Sequence, residues 1–180
     1  MKFLISIIIA VFLFTFFPGK TEAFSKSSAV LASAIEERTA DNRVEQLKSY
    51  LERYNSPLAD SAQTFVDYAD RYRLDWRLIA AISGLESGFG KNIPKNSYNA
   101  WGWGVYGGKV KYFTSWDDAI ATISQGLREK YMDRWGAQNI YQIGAIYAAS
   151  PTWAQRVGNY MARIENFSTV DSLDTLSITL

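Results

Sequence analysis

The chain has 180 residues, of which 48% are hydrophobic and 21% charged, with 19 basic against 18 acidic side chains. This size is typical of one domain, and the near-zero net charge argues against a protein that binds nucleic acid or an anionic membrane through a basic surface. Because the chain contains no histidine and no cysteine, it cannot form a Ser-His-Asp triad, a thiol nucleophile, a thiolate or imidazole zinc site, or a disulfide. Any chemistry must therefore use carboxylates, hydroxyls, amines or a carboxylate-bound metal.

The N-terminal segment predicts export. Lys2 is followed by an uninterrupted apolar run over residues 3–17, then by Pro18-Gly19 and a small-residue pattern that ends at Ala23. This organisation is typical of a secretory signal peptide, residues 1–23, because a membrane span needs roughly 20 apolar residues. An uncleaved N-terminal anchor is the alternative. In both cases the rest of the chain is predicted to be periplasmic, cell-wall-associated or extracellular.

Residues 24–57 predict a linker and an accessory helix. The segment up to about residue 43 is rich in Ser and Ala and is interrupted by charged residues. From Asp41 onward, Val44, Leu47 and Leu51 recur at steps of three and four, which is the spacing of one helical face. Asn55-Ser56-Pro57 ends this helix. We expect the helix to pack on the main domain, because two heptads are too few for a coiled coil.

Residues 58–166 carry the strongest helical patterns and predict one mainly α domain of the α+β class. The predicted helices cover residues 58–72, 76–87 with Asp75 as cap, 115–131 with Ser115 as N-cap, 139–147, and 150–164 with Ser150 as N-cap. Between Lys91 and Ser115 the sequence changes to Gly, Asn and aromatic residues, and residues 105–110 predict one small β-hairpin. Residues 167–180 are predicted to be a disordered tail.

Glu86 is the unusual residue of the second helix of this domain. It lies seven positions after Ile79 and four after Ile82, so its carboxylate is predicted to point with the core-facing stripe. A charge in that position is costly. One interpretation is a buried structural glutamate paired with Arg128 or Arg156. The other is a general acid that apolar surroundings keep protonated near neutral pH.

The residues after Glu86 favour a sugar-binding site. Gly88 and Gly90 end the helix, and the following segment combines Asn and Gly with many aromatic side chains. These are Tyr98, Trp101, Trp103, Tyr106, Tyr112 and Trp116. Exposed rings suit stacking on sugar rings while amides and backbone groups bind the hydroxyls. About half of these rings are expected to belong to the core instead.

Three motifs in this order resemble a known family. Residues 78–90, with the Glu86-Ser87-Gly88 sequence, are similar to the catalytic helix of the lysozyme-like superfamily, which includes soluble lytic transglycosylases and autolysin-type endo-β-N-acetylglucosaminidases. Residues 99–102 resemble the Asn-x-aromatic-Gly segment of the glucosaminidases. Residues 147–154 resemble their later motif, which contains a cleft-lining Tyr. The resemblance covers about residues 58–164 and implies a lysozyme-like fold.

The resemblance also implies a function. Glu86 takes the position of the general acid that protonates the glycosidic oxygen of peptidoglycan, and Tyr147 takes that of the tyrosine beside it. The residues expected to contact the substrate are Ser87, Asn99, Trp101, Trp103 and Tyr106. The implied partner is the β-1,4-linked N-acetylglucosamine/N-acetylmuramic acid strand. No cofactor or metal is implied, and we expect a monomer.

The sequence departs from the pattern of two-carboxylate glycosidases, which place a second acid across the scissile bond. No Asp or Glu lies between Ser87 and Trp116, and the predicted hairpin offers Lys109 and Lys111. Asp117 and Asp118 follow, but acidic residues are favoured in the first turn of any helix.

Without a second acid, the sequence does not decide which type of cleavage reaction takes place. The absence agrees with a single-acid mechanism, in which the sugar's own 6-hydroxyl attacks and forms a 1,6-anhydro end. However, the Gly-Leu-Met-Gln segment usual in lytic transglycosylases is also absent. Two alternatives to an enzyme are a non-catalytic wall-binding module and a protein-partner surface in which Glu86 is merely salt-bridged.

Overall fold

The computed structural model describes residues 42–104 and 109–167. The chain divides into two compact units, Met1–Glu37 and Arg38–Leu180, and all described residues belong to the second unit. The predicted signal peptide, most of the predicted linker and the tail from residue 168 lie outside the described residues. Within the described ranges, no helix has the length and apolar character needed to cross a membrane.

The described residues form six α-helices, and the prediction of a mainly α fold is confirmed. The helices are α1 (residues 42–53), α2 (Ala62–Tyr72), α3 (Leu78–Ser87), α4 (Trp116–Gly126), α5 (Ile140–Tyr147) and α6 (Trp153–Glu165). A 3₁₀ turn, Ala59–Ser61, precedes α2, and a π-helix, Leu127–Arg134, continues α4. The hairpin is not confirmed, because Lys109 forms only an isolated bridge and residues 105–108 lie outside the described part.

Helix α3 is the centre of the core. Its residues from Leu78 to Gly84 are all buried, and its main packing partner is α6. Gly84 permits this close packing, because a methyl group there would lie 2.6 Å from the ring of Phe89 and 3.1 Å from that of Tyr160. The last turn of α3, after Gly84, therefore reaches the edge of the core.

Helix α1 belongs to the same core. Leu47 and Leu51 are fully buried in the cluster that also contains the α3 residues, and burial of each such side chain contributes about 1.5–3 kcal/mol. The amide of Gln46 donates to the carbonyl oxygens of Ile164 and Glu165 at 2.7 and 2.9 Å. Helix α1 is thus tied to the end of α6 as well as packed on the core.

The predicted starts of α3 and α6 are wrong by two or three residues, and the first residues predicted for α2 form the 3₁₀ turn instead. Asp75 accepts hydrogen bonds from the backbone N–H and the guanidinium of Arg77, which holds the chain in a turn, and α3 begins at Leu78. Similarly, the carbonyl oxygen of Ser150 accepts from the N–H of Trp153, and α6 begins at Trp153. In both places a hydrogen bond to the predicted cap residue forms a turn, and the helix begins only after that turn. The predicted cap at Ser115 is confirmed.

Asp118 stabilises the start of α4 in a pH-dependent way. Its Oδ2 accepts from the backbone N–H and the hydroxyl of Thr114, both at 2.9 Å, and these bonds hold the pKa of the Asp118 carboxyl below its usual value. Because the folded pKa is lowered, this stabilisation is complete above the pKa of an unfolded Asp, about 4, and is lost as the pH falls through the folded value.

We therefore expect Asp118→Asn to lower the free energy of unfolding by about 1 kcal/mol or less at pH 7. The difference between variant and wild type should shrink in urea unfolding at about pH 2.5, below the unfolded pKa. A difference that stays the same at both pH values would show that charge at Asp118 plays no part.

Candidate active site

Glu86 lies in the last turn of α3 and is exposed, so the prediction that its carboxylate points into the core is wrong. The helix is buried on all sides up to Gly84 and ends at Ser87, so Glu86 lies where the core ends. Its Oε1 accepts a hydrogen bond of 2.7 Å from the indole N–H of Trp153. Its Oε2 lies toward Gly102, where a methyl group would be 3.8 Å away.

The alternative of a structural salt bridge to Glu86 is not supported. Arg128 donates to the carbonyl oxygens of Tyr72 and Arg73 and lies 3.6 Å from Asp133. Among residues 42–104 and 109–167, no lysine or arginine nitrogen lies within 4.0 Å of the Glu86 carboxylate. The indole of Trp153 is thus the polar group that holds it.

An open cleft of about 310 Å³ begins at Gly102. Its lining residues are Gly102, Trp103, Gly104, Lys111, Lys130, Tyr131, Trp135 and Tyr147. The rings form a continuous group, with centroids 5.6 Å apart for Trp103 and Tyr131, 5.0 Å for Tyr131 and Trp135, and 5.9 Å for Trp103 and Tyr147. Since Trp135 is 52% exposed, part of this aromatic wall is accessible to a ligand.

The cleft depends on an unusual helix that the sequence did not predict. After Gly126 the hydrogen bonding widens to a π-helix, and the N–H of Trp135 donates to the carbonyl oxygen of Lys130, five residues earlier. Gly126 lets Trp103 lie directly on the helix backbone, because a methyl group there would be 2.4 Å from its ring. π-helical segments of this kind often occur at functional sites.

The junction between α5 and α6 supplies the other side of the site. The hydroxyl of Tyr147, at the end of α5, donates to the carbonyl oxygen of Trp101 at 2.7 Å. The ring of Tyr147 stacks on that of Trp153, with centroids 4.8 Å apart and planes at 26°. Gly144 leaves room for this stack, because a methyl group there would lie 2.8 Å from Trp153. Tyr147 is thus placed beside the group that holds Glu86.

Three residues expected to contact substrate are buried, which corrects the sequence analysis. Ser87 is 5% exposed, and its hydroxyl donates toward the carbonyl oxygens of Ser83 and Ala100. Trp101 is fully buried, and its indole N–H donates to the carbonyl oxygen of Ile79. Asn99 is 4% exposed and is also bonded within the protein. Almost none of their surface is open to a sugar, and none of the three lines the cleft.

Asn99 cross-links the loop that carries Trp103. Its Oδ1 accepts from the N–H of Trp103 at 2.9 Å, and its Nδ2 donates to the carbonyl oxygens of Trp103 and Lys111 at 2.9 and 3.0 Å. The backbone groups that pair with Asn99 lie in a loop and lack a ladder of their own. The side chain therefore replaces secondary structure here.

We expect Asn99→Ala to lower the free energy of unfolding by about 2–3 kcal/mol, because it leaves several backbone groups without partners. Asn99→Asp keeps the acceptor and loses the two donor bonds, so it should also be destabilising. Urea denaturation of both variants, followed by tryptophan fluorescence, measures these losses. Wild-type stability in Asn99→Ala would contradict the cross-linking role.

Trp103 is half-buried and lines the cleft, while Tyr106 lies outside the described residues. Asp118 is engaged at the α4 start, and Asp117 is exposed in the same turn. In the described ranges, no group of three acidic side chains comes together that could hold a metal ion.

Three aromatic residues, Tyr131, Trp135 and Trp153, were not predicted from the sequence as residues of the site. Trp153 lies within the motif of residues 147–154, but spacing along the chain does not indicate that its indole reaches Glu86. A tryptophan at the very start of a helix that packs on α3 is the signal that could have identified it.

No family model matches the chain. Two proteins from strains of Streptococcus pneumoniae, which carry the provisional name endo-beta-N-acetylglucosaminidase, are 26% identical over 129 residues. The match covers 67% of this chain and 20% or 18% of those proteins, so the chain spans about a fifth of the length of these relatives.

A solved structure shows the same fold. It is that of a catalytic mutant of Autolysin E from Staphylococcus aureus in complex with the disaccharide NAG-NAM. The likeness has a TM-score of 0.58 at 19% identity and covers 67% of this chain and 65% of that one. The helical fold of this chain is therefore that of an autolysin structure.

Proposed function

We propose that this protein is an exported enzyme that cleaves the β-1,4 glycosidic bonds of peptidoglycan, with Glu86 as the general acid/base. The observation that carries the proposal is the exposed Glu86 carboxylate, held by Trp153 at the edge of an aromatic cleft. The structural likeness to an autolysin bound to NAG-NAM and the named pneumococcal relatives support the same substrate class.

The aromatic cleft fits a chain of sugar rings. Trp103, Tyr131 and Trp135 line it, and aromatic side chains of this kind stack on the apolar faces of sugars. The described lining residues contain two lysines and no carboxylate. The cleft therefore accepts a glycan that carries acidic groups, such as the lactyl and peptide carboxylates of peptidoglycan, without charge repulsion.

The mechanism needs one proton transfer in each direction. Protonated Glu86 gives its proton to the glycosidic oxygen as the bond between that oxygen and the anomeric carbon breaks. The anomeric carbon then bonds to the oxygen of a water molecule or of the sugar's own 6-hydroxyl. The proton lost by that nucleophile returns to Glu86. Water gives a reducing end, and the 6-hydroxyl gives a 1,6-anhydro end.

The engagement of Asp118 favours the route with one carboxylate. A base or nucleophile would need a free carboxylate oxygen facing the bond at roughly 5–9.5 Å from the acid. Oδ2 of Asp118 already accepts two hydrogen bonds from Thr114. Because residues 88–115 also contain no Asp or Glu, we propose Glu86 as the single catalytic carboxylate and the 1,6-anhydro end as the product.

Mass spectrometry of the soluble products tests the proposal. Purified protein is incubated with bacterial sacculi, and released fragments are analysed beside those from a protein-free control. Anhydro-muropeptides are the expected products. Reducing ends would assign a hydrolase and direct attention to Asp117. Binding to sacculi without any release would overturn the enzyme proposal and establish a binding module.

A further inference from the structure

We propose that Trp153 is the positioning residue for Glu86: its indole N–H holds Oε1, so that Oε2 is the oxygen that exchanges the proton with substrate. This inference rests on the proposed function. It concerns how one carboxylate serves as acid and base, and it starts from the hydrogen bond of 2.7 Å between Trp153 Nε1 and Glu86 Oε1. At this length the bond is well within the strong range for a donor to a carboxylate.

Trp153 is fixed from three directions. It is the first residue of α6, and only 3% of it is exposed. Tyr147 stacks on one face of its ring, and the backbone of Gly144 lies close to its edge. Tyr147 is in turn held by the carbonyl oxygen of Trp101. A donor in such surroundings keeps its direction, so it can fix the orientation of a carboxylate at the end of α3.

The two oxygens of Glu86 therefore have different surroundings. Oε1 faces a buried indole, and no substrate atom can reach it from that side. Oε2 lies on the side of Gly102, which is exposed and lines the cleft. Because a methyl group at Gly102 would lie 3.8 Å from Oε2, the absent side chain leaves the approach open.

The N–H of Trp153 also favours the step chemically. When Oε2 gives its proton to the glycosidic oxygen, negative charge develops on the carboxylate, and a fixed donor on Oε1 stabilises that charge. When the nucleophile's proton returns to Oε2, the same bond remains in place. Trp153 contacts Glu86 but none of the substrate atoms that react, so it is a positioning residue rather than a catalytic one.

Other charged or titratable groups are less suited to this task. Those on the surrounding elements are Tyr147, Lys111, Lys130 and Arg156. The Tyr147 hydroxyl donates to Trp101, and Nζ of Lys111 lies 5.0 Å from the centroid of the Phe113 ring. Within the described ranges, no lysine or arginine pairs with Glu86. Removing the indole N–H of Trp153 therefore tests its effect on the Glu86 carboxylate without changing an ion pair.

The experiment compares wild type with Trp153→Phe, which keeps an aromatic ring in the stack and removes the N–H. Trp76→Phe makes the same change at a half-buried tryptophan before the start of α3, and it is the matched control. We expect kcat for glycan cleavage to fall about 10- to 100-fold in Trp153→Phe with KM unchanged, because Trp153 is too buried to touch substrate. Trp76→Phe should retain wild-type kcat.

The pH profile separates positioning from a merely structural role. Loss of a donor to the carboxylate favours the protonated form of Glu86, so the alkaline limb of the kcat profile should move to higher pH in Trp153→Phe. A purely structural role would lower the rate at every pH alike. An unshifted limb, or a fall in kcat matched by Trp76→Phe, would overturn the inference.

Two further measurements keep the inference testable. If Trp153→Phe does not fold, replacement of Trp153 by its benzothienyl isostere removes the N–H at constant ring size. If the wild type cleaves no glycan, the proposed function fails, but ¹³C NMR titration of the Glu86 carboxyl still applies. A midpoint at higher pH in the variant supports the hydrogen-bond role, and an identical midpoint overturns it.

Discussion

Glu86→Gln is expected to lower the rate of fragment release from sacculi by about 10²–10⁴-fold. The amide has almost the shape of the carboxylic acid, and its oxygen can still accept from Trp153, but it carries no proton that can be transferred to the glycosidic oxygen. Because Glu86 is exposed and has no ion pair within 4.0 Å in the described residues, its replacement should leave the free energy of unfolding nearly unchanged.

The control for this prediction is Glu45→Gln, the same change at an exposed position on α1. The rate of fragment release is measured for both variants, together with their melting temperatures and their binding to sacculi. Glu86→Gln should bind and fold like the wild type. Full activity in Glu86→Gln would remove Glu86 from the mechanism and, with it, the proposed function.

Replacing Trp101 or Trp103 with alanine should affect different properties: the first change should reduce stability, and the second should weaken glycan binding. Trp101→Ala is expected to lower the free energy of unfolding by about 3–5 kcal/mol, because Trp101 is fully buried beside Phe65 and its indole N–H donates to Ile79. This is a large part of the stability of a domain of this size. Much of the variant is therefore expected to be unfolded or insoluble at 37 °C.

Trp103→Ala removes a ring that is half-buried and lines the cleft. We expect it to cost only about 1 kcal/mol of stability but to weaken binding to glycan strands about tenfold. Denaturant unfolding and sedimentation with sacculi measure the two effects. A large loss of binding in a well-folded Trp101→Ala protein would contradict the placement of Trp101 in the core.

Much of the helical fold was predictable because it follows from local chemistry. The apolar spacing on α1, the N-caps at Ser115 and Asn139 and the Gly after α3 all act within a few residues. The predicted starts of α3 and α6 were wrong for a local reason as well. There, polar groups of Asp75 and Ser150 close a turn, which competes with capping.

The candidate site was predictable only in part. The motif around Glu86 marked this residue as the candidate acid, but the helical wheel predicted a core-facing carboxylate, whereas Glu86 is exposed. A wheel assumes that a helix has one buried face along its whole length, whereas α3 is buried on every side as far as Gly84 and exposes Glu86 in its last turn. Trp101 and Trp103 lie in a loop, where no periodicity distinguishes a buried position from an exposed one, so they could not be told apart from the sequence.

Composition and periodicity were enough to predict a mainly helical chain without thiol or imidazole chemistry, and the motifs single out Glu86, Trp103 and Tyr147 as candidates for one site. The packing of the helices was needed to show that Asn99 and Trp101 are buried rather than open to a ligand, and that the indole N–H of Trp153 donates to Glu86. The reason is physical. Periodicity and capping act between neighbours in the chain, while burial and the direction of a donor are set where helices distant in sequence, such as α3 and α6, meet.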